Sequence, residues 1–172
     1  SVNADELRRL TDRIASGLAA RGVQKGDAVG LFMPMVPETA AALFAIAKLG
    51  AFFLPIFSGY GAEAVAVRLQ DASAVAVVTA DGFSRRGKLV KMKETADLAV
   101  AATPSVHTVL VVAGGRTDTP MQSGRDIRLD DLPDASFAAT PVASEHPFFV
   151  AYTSGTTVRP KGAVHVHAGF TV

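Results

Sequence analysis

Apolar positions along the chain follow two periods in alternation. From Asp5 onward, Leu7, Leu10, Ile14 and Leu18 recur at three- and four-residue spacing, which predicts an amphipathic helix stopped by Gly22. The run Ala28 to Met33 in "GDAVGLFM" is short and continuously apolar, the pattern of a strand covered on both faces. Pro37 and Glu38 suit a first helical turn. "ETAAALFAIAKLG" continues as a helix apolar nearly all round, predicting burial and an end at Gly50. "AFFLPIF" reads as the next strand, with Pro55 directing it towards a sheet edge or a strand end. "GAEAVAVRLQDAS" is helical by composition, "AVAVVTA" is a strand, a helix falls between Lys88 and Ala102, and "HTVLVVA" is a fourth strand. "GGRTDTPMQSGRD" is polar and Gly-rich, a surface loop; "PFFVAYT" and "AVHVHA" are a fifth and a sixth strand. Continuous Val/Ala/Leu strands alternating with helices predict an α/β fold, a mostly parallel sheet with helices on both faces.

Composition narrows the functional classes. At 172 residues the chain can bury one proper core, and it shows no internal repeat. A formal net charge of +1 offers no basic face for nucleic acid. Cysteine is absent, which excludes disulfides, thiolate metal sites and Cys nucleophiles. No apolar run reaches the ~20 residues of a membrane span, and the polar start "SVNADELRRL" lacks the apolar core of a signal peptide. The expectation is a soluble, cytoplasmic protein. A start without Met and an end inside the apolar "HAGFTV" lead us to expect a piece of something longer.

The chemistry concentrates in "TSGTTVRPKG", Thr153 to Gly162. A strand followed by Gly and small hydroxyl residues can turn successive N–H groups and hydroxyls towards phosphate oxygens, and a nearby Lys adds a point charge. The Walker pattern does not fit, since Gly162 follows Lys161 instead of preceding it and a strand, not a helix, comes next. On residue types alone, a phosphate loop and a hydroxyl-rich surface turn stand about even.

The longer string "YTSGTTVRPKGAVHVHAGF" resembles the phosphate loop of the AMP-forming acyl- and aryl-CoA synthetases, relatives of luciferase and of peptide-synthetase adenylation domains. The resemblance implies that residues 1–172 are the first part of the large N-terminal domain of such an adenylate-forming ligase. It assigns ATP-phosphate binding to Thr153, Ser154, Gly155, Thr156, Thr157 and Lys161, with Mg²⁺ accompanying ATP. Val158 is the one departure, standing where the family usually has Gly. A β-branched residue at positive φ is strained, by about 1–3 kcal/mol if the family's loop conformation is needed.

Upstream, "PIFSGY" and "TADGFSRRGK" resemble the acetyl- and propionyl-CoA synthetase branch. There a small-residue step and a basic cluster hold the CoA nucleotide, which implies CoA contacts for Ser58, Gly59, Arg85 and Lys88. Ser58 replaces a usual Gly, and Lys88 replaces a usual Arg with loss of the bidentate fork. Arg85, Arg86, Lys88, Lys91 and Lys93 also read as the solvated face of a helix start. His165 and His167, two apart on the expected strand, share a face but lack a third metal ligand. No residue is a convincing nucleophile or general base. The implied parent is an ATP-dependent carboxylate–CoA ligase acting on a small carboxylic acid, acetate or propionate first, with this stretch inactive alone. A non-catalytic remnant and a CoA- or nucleotide-binding interaction module are the alternatives, and self-association is left open.

Overall fold

The computed structural model describes residues 2–153 and 160–170. Helix α1, Ala4–Ala20, opens with a reciprocal cap: Glu6 N donates to Asn3 Oδ1 at 2.9 Å and Asn3 N donates to Glu6 Oε2 at 2.9 Å. Its buried stripe is Thr11, Ile14, Ala15 and Leu18, and the chain turns away at Gly22, φ +88°. Strand β1, Ala28–Phe32, is buried at every position. Helix α2, Pro37–Lys48, carries Pro at its start as expected and packs against α1. It buries only Ala41, Ala42, Ala45 and Ile46 fully; Phe44 is 44% exposed beside an apolar groove formed with α1 and Val142, so this helix is less enclosed than its composition predicts.

Strand β2 is Phe52–Ile56, helix α3 Ala62–Asp71, strand β3 Ala76–Ala80, and a small hairpin pairs β4, Phe83–Arg85, with β5, Lys88–Val90. Helix α4, Met92–Ala101, and strand β6, Thr108–Val112, follow. Strand β7, Asp126–Arg128, a 3-10 turn at Leu129–Asp131, strands β8, Pro147–Thr153, and β9, Lys161–Val166, and helix α5, His167–Phe170, complete the order.

The main sheet has seven strands in the order β7-β6-β3-β1-β2-β8-β9, parallel except for the antiparallel β8–β9 pair. The chain steps from β1 through α2 to β2 on one side, then returns through α3 to β3 on the other. Right-handed crossovers therefore put α2 and α3 on opposite faces. Accordingly α1 packs with α2, and α3 with α4. The core follows as one cluster on both faces, from Ile14 and Ile46 to Leu69, Val77 and Met92. Pro55 sits next to the last residue of β2, an interior strand, so the strand-end reading holds and the edge reading does not. Among the described residues no helix is long and apolar enough to cross a membrane.

Two elements depart from the sequence-based expectation. The basic run is not a helix face: Arg85 and Lys88 face each other across the β4–β5 hairpin, and Lys93 is completely buried. The Gly-rich stretch expected to be all loop ends in β7, which extends the sheet beyond β6.

Candidate functional site

Because β1, β2, β3, β6 and β8 run parallel, the loops after them share one edge of the sheet. Strand β1 is the switch point, with the chain leaving to β2 on one side and to β3 on the other. Ligands of open α/β sheets bind in the crevice at that place.

After β2, Tyr60 N donates to Phe57 O at 3.0 Å and closes a turn over Ser58 and Gly59. Phe57 is 55% exposed, with its ring edge-on to Tyr60 at 5.5 Å. A Cβ on Gly59 would lie 2.6 Å from the Phe57 ring and 2.9 Å from Arg85 Nη1, so the absent side chain is what admits the guanidinium. Arg85 arrives from the loop after β3, its guanidinium carbon 5.7 Å from the Phe57 ring centre. The turn of its hairpin places Arg86 at φ +50° and Gly87 at φ +74°, the doubly left-handed geometry that matches strand twist. Lys88 stands directly opposite Arg85. Like charges in that register are unfavourable unless an anion joins them, and among the described residues neither cation has an ion-pair partner. The structure thus brings Ser58, Gly59, Arg85 and Lys88 together.

The root of that hairpin is anchored by residues the sequence reading did not single out. Buried Asp81 accepts from Gly114 N at 2.6 Å and Arg116 N at 3.1 Å. Arg116 donates to Asp81 O at 2.9 Å and forks onto both Glu94 oxygens at 2.8 and 2.7 Å. The Arg116 hydrogen bonds hold the Glu94 carboxyl below its ordinary pKa against the opposing effect of burial. A cleft of about 210 Å³ opens beside this root, between Pro34, Val36, Phe83, Ser84 and Gly114.

On the other side of β2, Thr153 pairs with Lys161 at the end of the β8–β9 hairpin, so the expected phosphate loop springs from two adjacent strand ends on the same edge. Ser154, Gly155, Thr156 and Thr157, with Val158, lie outside the described residues. Tyr152 donates its hydroxyl to Asp71 Oδ2 at 2.7 Å. Gly162 opposes Tyr152, and a Cβ there would come within 3.2 Å of its ring. His165 stacks on Phe149 at 4.2 Å, whereas His167 begins α5 instead of extending the strand, so the two histidines do not share a strand face. Among the described residues no group of three or more His, Cys, Asp or Glu is disposed to hold a metal ion.

The family model described as "AMP-binding enzyme" matches residues 1–172, the whole chain. The chain belongs to that family. Among curated AMP-binding relatives, an acetyl-coenzyme A synthetase of Rhodopirellula baltica is 44% identical over 96% of this chain and 25% of its own length. A 3-hydroxypropionyl-coenzyme A synthetase of Sulfurisphaera tokodaii is 43% identical over 99% of this chain and 27% of its own. The solved acetoacetyl-CoA synthetase of Streptomyces lividans superposes with a TM-score of 0.89 at 30% identity, covering 98% of this chain and 26% of that one. The chain therefore spans about a quarter of the length of the relatives it matches.

Proposed function

We propose that this chain is the opening α/β part of the AMP-binding N-terminal domain of an ATP-dependent carboxylate–CoA ligase, and that it holds the phosphates of two substrates on one sheet edge. In the reaction an acid oxygen attacks the α-phosphorus of ATP and releases pyrophosphate. The CoA thiolate then attacks the acyl-adenylate carbonyl and releases AMP. Thr153, Ser154, Gly155, Thr156, Thr157 and Lys161 are read as the ATP-phosphate donors, whose work is to position and neutralise charge. Ser58, Gly59, Arg85 and Lys88 are read as the CoA surface, Gly59 by close approach and the two cations by pairing with phosphate.

The observation that carries this reading is the Arg85–Lys88 pair, without an ion-pair partner among the described residues, with Arg85 against Gly59 at the switch point of a chain in this family. The relatives' names favour a short-chain acid, acetate or propionate first. Mg²⁺ would accompany ATP. A cytoplasmic place in fatty-acid activation and self-association of the whole enzyme belong to the same proposal. The chain alone supplies binding, and the remaining length of the relatives supplies what completes catalysis.

Isothermal titration of the chain with CoA and with 3′-dephospho-CoA tests the reading. We expect CoA to bind more tightly than the dephospho form, and Arg85→Ala to weaken CoA by about tenfold or more, the worth of one charge-assisted contact. Equal affinity for the two forms, or an Arg85→Ala variant indistinguishable from the parent, would refute it. Binding of CoA without any response to ATP would favour an interaction module.

A further inference from the structure

The turn after β2 and the end of β8 are joined by a line of side chains through α3. Arg68, in the last turn of that helix, is only 8% exposed and takes part in no ion pair among the described residues. Its Nη1 donates to Ala64 O at 2.7 Å and its Nη2 to Tyr60 Oη at 3.3 Å. The guanidinium lies 4.3 Å from the Tyr60 ring centre and 5.9 Å from that of Tyr152. A cation with no ion-pair partner among the described residues is held here by two aromatic faces, a carbonyl and a hydroxyl, an arrangement that a planar guanidinium satisfies better than a compact ammonium. Tyr60 closes the turn over Ser58 and Gly59. Tyr152 immediately precedes Thr153 and is tied to α3 through Asp71.

We infer that Arg68 is a positioning residue shared by both substrate surfaces, its guanidinium fixing the Tyr60 turn of the CoA surface and the Tyr152 strand end that leads, through Thr153, into the proposed phosphate-binding run. This rests on the reading above. Turn and strand end each have contacts of their own: the Tyr60 N–Phe57 O bond and Arg85 over the Phe57 ring for the first, the Tyr152–Asp71 hydrogen bond and the β8–β9 pairing for the second. Arg68 is the contact common to both.

The test uses the 172-residue chain with two probes, CoA and inorganic tripolyphosphate, titrated calorimetrically. Hydrogen exchange at amides 58–61, 152–153 and 161–162 is measured in parallel. Arg68→Leu is expected to weaken both probes by about three- to thirtyfold, the span of a cation–π contact from exposed to desolvated, and to speed exchange at those amides. Arg68→Lys keeps the charge without the planar face and should weaken both by a smaller factor. Tyr152→Phe, which loses only the bond to Asp71, should weaken tripolyphosphate and leave CoA unchanged.

A folded Arg68→Leu or Arg68→Lys protein that melts earlier yet keeps both parental affinities overturns the inference, because a merely structural arginine behaves so. Loss of one affinity alone overturns the sharing. If Arg68→Leu does not fold, Arg68→Lys decides by the same criteria. When the parent binds both probes and Arg85→Ala weakens CoA alone, unchanged Arg68 variants sink this inference and leave the proposed function standing. A parent chain that binds neither probe sinks both.

Discussion

Replacing Lys93 by Met should be strongly destabilising although it lies away from the site. The Lys93 ammonium is completely buried, 2.7 Å from Asp97 Oδ1, 2.7 Å from Asp126 Oδ2 and 3.0 Å from Pro120 O. Arg125 pairs with the same two carboxylates, so two cations and two anions close a neutral cluster between α4 and β7. Met fills nearly the same volume, and the loss is therefore charge compensation rather than a cavity. Asp126, whose side chain is fully buried, keeps Arg125 and the Gln122 N–H. Breaking a buried pair from one side costs about 3–5 kcal/mol, and the surviving partners place this case near the lower end. At ~2–4 °C per kcal/mol for a domain of this size, about 3 kcal/mol lowers the melting temperature by roughly 6–12 °C.

The pH dependence has a definite sign. Burial alone would raise the pKa of Asp126, but hydrogen bonds from Arg125, Gln122 N and Lys93 outweigh it and hold the carboxyl below its ordinary 3.8. Its contribution is thus present at neutral pH and is lost as pH falls through the lowered folded value. In Lys93→Met the same carboxyl protonates earlier, which relieves the uncompensated charge. The stability gap between parent and variant should narrow on acidification through the carboxylate range. Urea unfolding followed by circular dichroism at neutral and acid pH measures it. A neutral-pH loss under about 1 kcal/mol, or a gap indifferent to pH, would show that the cluster is not the closed neutral unit described.

Gly114→Ala would put a Cβ 2.2 Å from Gly82 O and 2.5 Å from Asp81 Oδ1, so backbone at the hairpin root must move. We expect a loss of about 1–3 kcal/mol in denaturant unfolding and faster amide exchange at Arg85 and Lys88. Val158→Gly should tighten tripolyphosphate binding in calorimetry by relieving a β-branched residue where the family has Gly; an unchanged affinity would mean that Val158 carries no strain.

Continuous apolar strands such as β1, β3 and β6 were legible because both their faces are covered, and their spacing announced the parallel sheet. The β4–β5 hairpin was not, since strands of three residues around Arg86-Gly87 carry neither a clear alternation nor a common turn dipeptide. Strand β7 was hidden by its polar ends: Asp126 is inside only because Lys93 and Arg125 meet it there, a partnership that no local pattern displays. Lys93 was misread as solvated for the same reason. At the site, residue types alone left "TSGTTVRPKG" undecided, and its proposed role rests on the family resemblance. That Arg85 lies on Gly59 needed the sheet, because parallel strands β2 and β3 deliver two distant loops to one edge.

The late return of β8 has a kinetic consequence. Strands β2, β1, β3 and β6 are adjacent in space and joined by successive single-helix crossovers, so they can condense without waiting for the rest of the chain. Strand β8 must instead cross back over that finished half to pair with β2 through Phe53 and Phe149, a closure of high contact order. The β8–β9 ribbon should therefore be the last unit to dock and the first to open, a cooperative subunit of lower opening free energy than the β1-centred half. Hydrogen exchange that is faster at 161–166 than at 28–32 would show that order of opening.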